Sequence, residues 1–343
     1  MLWCGEGDDV LVAKDMEDAK NLTRNVGIDL LRGVAAFGIV GCHLWVEPRT
    51  DGGNLVTALC DFNVGVFAAV AGFLMCGRRG DEGWLEYVGK RARRLLPTYF
   101  FWSAVFVLAT AAFDLLYDGG CLNPRYETAA FWRAVVFWGG SSAQLWFLIC
   151  LFYAQVALMG AFKACASRWF GVMWIAFGGM MASVCAVNLG WFYRYPFRLA
   201  AFLMTGYGIG CCLRGRLLEV CKKYNRLVWC CAVVALMLHV VVGAVVPAFV
   251  KDWLAVGPIL LAFVGWEPQR ERVVKVAAML GAASLGVYLV HPLVTRGLWA
   301  VVARMFQPPF SAWGVLGEWV LAWVISLGVV AGMRRMPGVR RLV

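Results

Sequence analysis

Charge and histidine are what this sequence has least of. Only 15% of its 343 residues are Asp, Glu, Lys or Arg, and it holds 3 histidines, whereas a soluble domain carries about 25% charged and about 45–50% apolar residues. Here 62% of residues are hydrophobic and the mean hydropathy is +0.70, which excludes an ordinary soluble domain and reads as an integral membrane protein. The histidines fall in three separate apolar segments and the 13 cysteines contain no C-x-x-C pair, so no metal centre is expected. A Gly-rich phosphate loop, a Gly-x-Ser-x-Gly nucleophile elbow and a dinucleotide fingerprint are also missing, which argues against serine-nucleophile hydrolysis and nucleotide-fold chemistry. Residues 1–27 carry Glu6, Asp8, Asp9, Asp15, Glu17 and Asp18 without the basic start and apolar run of a cleaved signal. They are expected to remain as a polar cytoplasmic tail.

What the chain does have is apolar length. Ten segments are close to the roughly 20 residues a membrane span needs: Ile28–Val46, Leu55–Cys76, Leu95–Tyr117, Leu145–Phe162, Trp169–Leu189, Pro196–Leu213, Leu227–Val246, Trp253–Trp266, Val276–Val302 and Gly314–Met333. The aromatic run Thr128–Gly140 is too short to span and suits an interfacial or re-entrant piece. The net charge of +11 would suggest nucleic acid in a soluble protein, but here the basic residues sit in alternate loops. Placing the N-terminus inside puts Arg78, Arg79, Lys90, Arg91, Arg93 and Arg94, then Lys222, Lys223 and Arg226, then Arg334, Arg335, Arg340 and Arg341 on the cytoplasmic side. The expected fold is all-α: a polytopic bundle of about ten transmembrane helices over residues 28–335, both termini cytoplasmic, with a short basic tail at 336–343. Most cysteines suit small buried positions; Cys60 and Cys121 would face the outer side, where oxidation is open to them.

Ionisable residues at membrane depth mark cavities and pathways. In the first segment Arg32 and His43 are eleven positions apart, which on a helix is about 20° of rotation and about 16 Å of rise. They share a face at two depths, and Asp29, one turn before Arg32, is placed to orient it. Arg91 and Arg94, three apart, share a face at a helix entrance, and paired guanidinium forks suit phosphate or pyrophosphate. In the ninth segment Tyr288, His291 and Pro292 follow one another, with His291 about as far from its cytoplasmic start as His43 is from its own. Pro292 should free backbone groups there, which a membrane tolerates only beside protein or a wet cavity. His239 has no comparable company and reads as structural; Asp114, Gln155 and Glu318 have no evident partner.

Five pieces in order, Ile28-Asp29-Leu30-Leu31-Arg32-Gly33 with His43, Val66-Phe67 to Ala71-Gly72-Phe73-Leu74, Lys90 to Tyr99, Leu145-Trp146-Phe147-Leu148 and Ser284 to Pro292, make the chain resemble the membrane-bound acyltransferase 3 family. That resemblance implies a multi-pass protein of the bacterial cytoplasmic (inner) membrane. It implies transfer of an acyl group, usually acetyl, from cytoplasmic acyl-CoA to a hydroxyl of a surface or lipid-linked carbohydrate of the cell envelope. The family's first-helix arginine and histidine fall on Arg32 and His43, and its Arg-x-x-Arg on Arg91 and Arg94. The expected roles are Arg91 and Arg94 for the CoA phosphates, His43 as base, and Arg32 with Asp29 at the thioester or phosphate. His291, Trp146 and Tyr288 would line the path.

One departure is visible. Ala71 stands where the family commonly has serine, so a role for that hydroxyl is in doubt here. No esterase-like segment follows the tenth span, so the membrane domain or a separate protein is expected to handle the acceptor. A secondary transporter and a non-catalytic partner of a glycan assembly are the rival readings, though no matched pair of broken helices supports the first.

Overall fold

The structure, a computed structural model, describes residues 25–44, 56, 59–76, 83–117, 124–142, 144–164, 167–184, 191–213, 216–241, 247–305 and 312–343. Most of the tail 1–27 and Cys121 lie outside them. The helices are α1 (Val26–Cys42), α2 (Asn63–Cys76), α3 (Trp84–Tyr117), α4 (Ala129–Phe137), α5 (Trp146–Ala164), α6 (Arg168–Val184), α7 (Trp191–Cys212), α8 (Arg216–Lys223), α9 (Asn225–Val241), α10 (Ala248–Val264), α11 (Glu271–Met305) and α12 (Ala312–Arg335). There is no strand among the described residues. Each of the ten apolar segments overlaps one of these helices where it is described, although parts of the first, second, fifth and seventh lie outside the described residues, and the run Thr128–Gly140 holds the nine-residue α4.

Three stretches, 84–115, 271–301 and 313–335, are long and apolar enough to cross a membrane by themselves, and shorter apolar helices accompany them. The outer surface is what lipid requires. On α12 the rows Leu316, Val320, Val324 and Leu321, Ile325, Val329 are exposed, each stepping by four residues along one face. Exposed apolar rows of this extent belong against hydrocarbon. The protein is a membrane protein.

Local chemistry sets where the central helices begin. Asn25 caps α1, its side-chain oxygen accepting from the Ile28 N–H at 3.2 Å while its amide donates to the Val264 carbonyl at the end of α10 at 2.9 Å. Helix α3 starts eleven residues before the apolar segment Leu95–Tyr117 and passes through Pro97, so Arg91 and Arg94 belong to the same rod as the span. In the core α2 packs on α7, which also receives α6 and α5; α3 leans on α5, and α1 lies between α2 and α11. The α1–α11 contact is close because both sides lack bulk. A Cβ on Gly33 would lie 2.6 Å from the Leu280 Cβ, and one on Gly281 would lie 2.7 Å from the Asp29 Cα. Any larger residue would separate the two helices that carry the histidines.

Candidate active site

Guanidiniums from two helices converge on one cavity. It measures about 280 Å³ and takes Arg32 from α1, Arg91, Arg94 and Leu95 from α3, and Ala71 with Phe67, Val70 and Leu74 from α2; Phe147, Leu151 and Gln155 of α5 and Leu285 of α11 complete it. Arg32 lies 3.6 Å from Asp29. Arg91 is largely buried and stacks over the Tyr87 ring at 5.0 Å, and neither Arg91 nor Arg94 has a carboxylate within ion-pair distance among the described residues. Arg94 feels the positive charge of both Arg91 and Arg32, and Arg32 that of Arg334. Three like charges around one apolar-walled space repel until an anion enters. The pairing of Arg32 with the Arg91–Arg94 fork, separate expectations from sequence, is thus a single site. Gln155, for which sequence offered no partner, contributes a buried Oε1 to the same wall with no hydrogen-bond partner among the described residues.

Above the arginines an aromatic layer leads to the histidines. Phe67 and Phe147, both cavity-lining, contact Tyr288 at ring distances of 6.1 and 5.3 Å. Tyr288 lies 6.0 Å from His291, and His291 lies 5.2 Å from His43. The two histidines therefore meet at one depth, as their equal counts along the two segments imply. His43 is the C-cap of α1, its N–H donating to the Val40 carbonyl at 3.1 Å, and is half-buried. His291 is fully buried. Trp146 opens α5 but does not line the cavity; its neighbour Phe147 does.

The loop between α4 and α5 is clamped over this layer by two tyrosines. Tyr99 of α3 donates its hydroxyl to the Val135 carbonyl and accepts from the Gly139 N–H at 2.9 Å, and Tyr288 donates to the Gln144 carbonyl. Gly139 has φ +74°, and a Cβ there would lie 2.2 Å from the Trp146 nitrogen. Only glycine satisfies both the left-handed turn and that contact.

His239 requires a correction. Its Nε2 lies 3.0 Å from Asp61 Oδ1 and its Nδ1 3.6 Å from Asp252 Oδ1. Lys251 holds the other Asp61 oxygen at 3.2 Å, and Arg198 holds Asp252 through a short contact. Sequence reasoning missed this group because its members lie on separate segments and no spacing links them. The ligand atoms of Asp61, His239 and Asp252 lie within 4.8 Å of one another, a metal-like cluster. Two cations already neutralise its two carboxylates, however, so a dication would leave buried excess charge, and we read it as an ionic chain that ties α7, α9 and α10 to the start of α2. Other polar residues also find company. Asp114 accepts from the Tyr126 hydroxyl at 3.1 Å, and Cys60 is a buried free thiol. Glu318 keeps a buried Oε1 without a partner among the described residues.

The family model for acyltransferase 3, described as an acyltransferase domain, matches residues 25–334. No curated protein and no solved structure matches the chain. The matched region takes in Asp29, Arg32, His43, Arg91, Arg94 and His291 together, and with nearly the whole length covered the chain belongs to the acyltransferase 3 family, a membrane acyltransferase.

Proposed function

We propose that this protein moves an acyl group, acetyl in the simplest case, from cytoplasmic acyl-CoA to a hydroxyl of a surface or lipid-linked carbohydrate of the bacterial envelope. The observation that carries this is the cavity of Arg32, Arg91 and Arg94, short of negative charge and joined through Phe67, Phe147 and Tyr288 to a histidine pair. Ten spans with both termini inside put the arginines at the cytoplasmic end, where CoA is, and the histidines toward the outer half. At about 280 Å³ the cavity is just under the roughly 300–1,000 Å³ of drug-sized ligand pockets, room for the thioester arm with the pyrophosphate at its mouth. Arg91 and Arg94 clasp the phosphates, and Arg32, steadied by Asp29, faces the charge that develops as the thiolate leaves.

A histidine of the pair takes the proton of the acceptor hydroxyl, and we assign this to His43, which is half-buried where His291 is fully buried. The acyltransferase reading accounts for a phosphate-type site and a base in one continuous path, which a transporter or a scaffold would not require. The test is labelled acetyl-CoA supplied to the inner face of membrane vesicles, with mass spectrometry of the envelope glycans. Thioester consumption and an added acyl mass, both lost in His43→Ala while the protein stays in the membrane, are expected. Solute uptake without thioester consumption would overturn the reading.

A further inference from the structure

Resting on that reading, we infer that Gln155 holds the pantetheine arm of the acyl donor, its carboxamide accepting from an amide N–H of the arm and donating to an amide carbonyl. Three guanidiniums and Gln155 supply the polar side chains of the cavity wall, and the other lining side chains are hydrocarbon. Gln155 is 3% exposed, and its Oε1 is buried with no hydrogen-bond partner among the described residues. No hydrogen bond from those residues reaches its Nε2 either. An unpaired buried amide is less favourable than an apolar side chain of the same shape. On a wall of leucine and phenylalanine such a group is satisfied only when a ligand is present.

Its place along the wall says which part of the donor it meets. Phe147, Leu151 and Gln155 are four apart and all line the cavity, so they form one row along α5, with Gln155 about two turns and about 12 Å from Phe147. Phe147 joins the aromatic layer through Tyr288. At the other limit Arg94 is exposed at the edge of the cavity. The buried Gln155 therefore lies inside that edge and well short of the layer. The arm passes there when the phosphates stay with the arginines and the thioester reaches toward the histidines.

The chemistry of the group agrees. A carboxamide offers one acceptor and two donor hydrogens in one plane. Ionised phosphate and the thioester carbonyl only accept, so neither answers Oε1. The pantetheine arm carries two secondary amides, so N–H donors and carbonyl acceptors recur along it as on a peptide strand. An adenine edge also offers both, but it lies beyond the phosphates, outside the exposed edge. The last torsion of a glutamine is soft, so the carboxamide turns to meet the arm without any movement of α5. Gln155 forms no covalent bond and moves no proton; it anchors the arm.

The test measures equilibrium binding of acetyl-CoA and of acetyl-pantetheine, with no acceptor present, to the full-length protein and to Gln155→Met, which keeps the length of the side chain and removes the carboxamide. Two neutral hydrogen bonds are lost, so both ligands should weaken by the same factor, on the order of tenfold. Without ligand, the unfolding temperature of Gln155→Met should hold or rise, because an unpaired amide leaves the wall. A lowered unfolding temperature with both affinities unchanged is what a purely structural glutamine would give, and it overturns the proposal. A loss confined to acetyl-CoA would put the contact on the nucleotide and overturns it too. In turnover the effect should fall on KM, since the arm is held alike in the ground and transition states; a lowered kcat at unchanged affinity would contradict the assignment. Should Gln155→Met not reach the membrane, Gln155→Leu reads the same two affinities. If the unmodified protein binds neither thioester, the acyltransferase reading falls and this inference with it. If the unmodified protein and Gln155→Met bind both equally well, the assignment of Gln155 falls alone.

Discussion

Two charged regions of this bundle answer opposite questions. In the ionic chain, Lys251 answers Asp61 and Arg198 answers Asp252, with the His239 ring between the two carboxylates. In the arginine cavity, three cations face one space, and among the described residues Asp29 is the carboxylate that answers them. Buried charge is costly unless paired, so the first region needs nothing further, whereas the second, with Arg91 buried and Arg94 exposed at its edge, is suited to an anion. A charged cluster inside a membrane bundle is read by its balance rather than by its size: the balanced one holds helices together, and the unbalanced one has charge to offer an anion.

The largest effect should come from the unbalanced region. Charge-assisted hydrogen bonds contribute about 1.5–3 kcal/mol each, so Arg91→Ala with Arg94→Ala should weaken acyl-CoA binding by about 10²–10⁴-fold in calorimetry, while thermal stability without ligand holds or rises as like charges are removed. Asp252→Asn should do the reverse. Removing the carboxylate of the half-buried Arg198 costs up to about 3 kcal/mol, visible as a lowered unfolding temperature, with acyl-CoA affinity of the folded protein changed less than about twofold. Inorganic pyrophosphate should stabilise the unmodified protein by about 2.7 kcal/mol at a hundred times its dissociation constant, and the double arginine variant not at all at matched ionic strength. Smallest of all, Ala71→Ser should alter turnover by less than about threefold, because a helical serine satisfies its hydroxyl on the carbonyl four residues back.

Much of the site was legible before the fold. Arg32, Arg91, Arg94, His43 and His291 were each marked by being polar in apolar surroundings, and equal counts along two segments placed the histidines at one depth. Helical periodicity carries that kind of information because face and rise follow from sequence number alone. What could not be read was any relation between segments. The ionic chain joins Asp61 to His239 across 178 positions, and nothing local to either predicts the other. The join of Arg32 to the Arg91–Arg94 fork depends on α2 standing between α1 and α5, and the extension of α3 back to Trp84 was hidden by Pro97, which the helix accommodates. Tyr288 was legible as a neighbour of His291 but its clamp on Gln144 was not, since that is again a tertiary contact.

The proposed function makes the arginines the holders of the phosphates of CoA. Its most direct test compares the affinities of acetyl-CoA and of acetyl-pantetheine, the same thioester without the phosphates, for the unmodified protein and for Arg91→Ala/Arg94→Ala. The unmodified protein should prefer acetyl-CoA by at least about 100-fold, and the double variant should bind the two within about threefold of each other. An equal preference for acetyl-CoA in both proteins would contradict it.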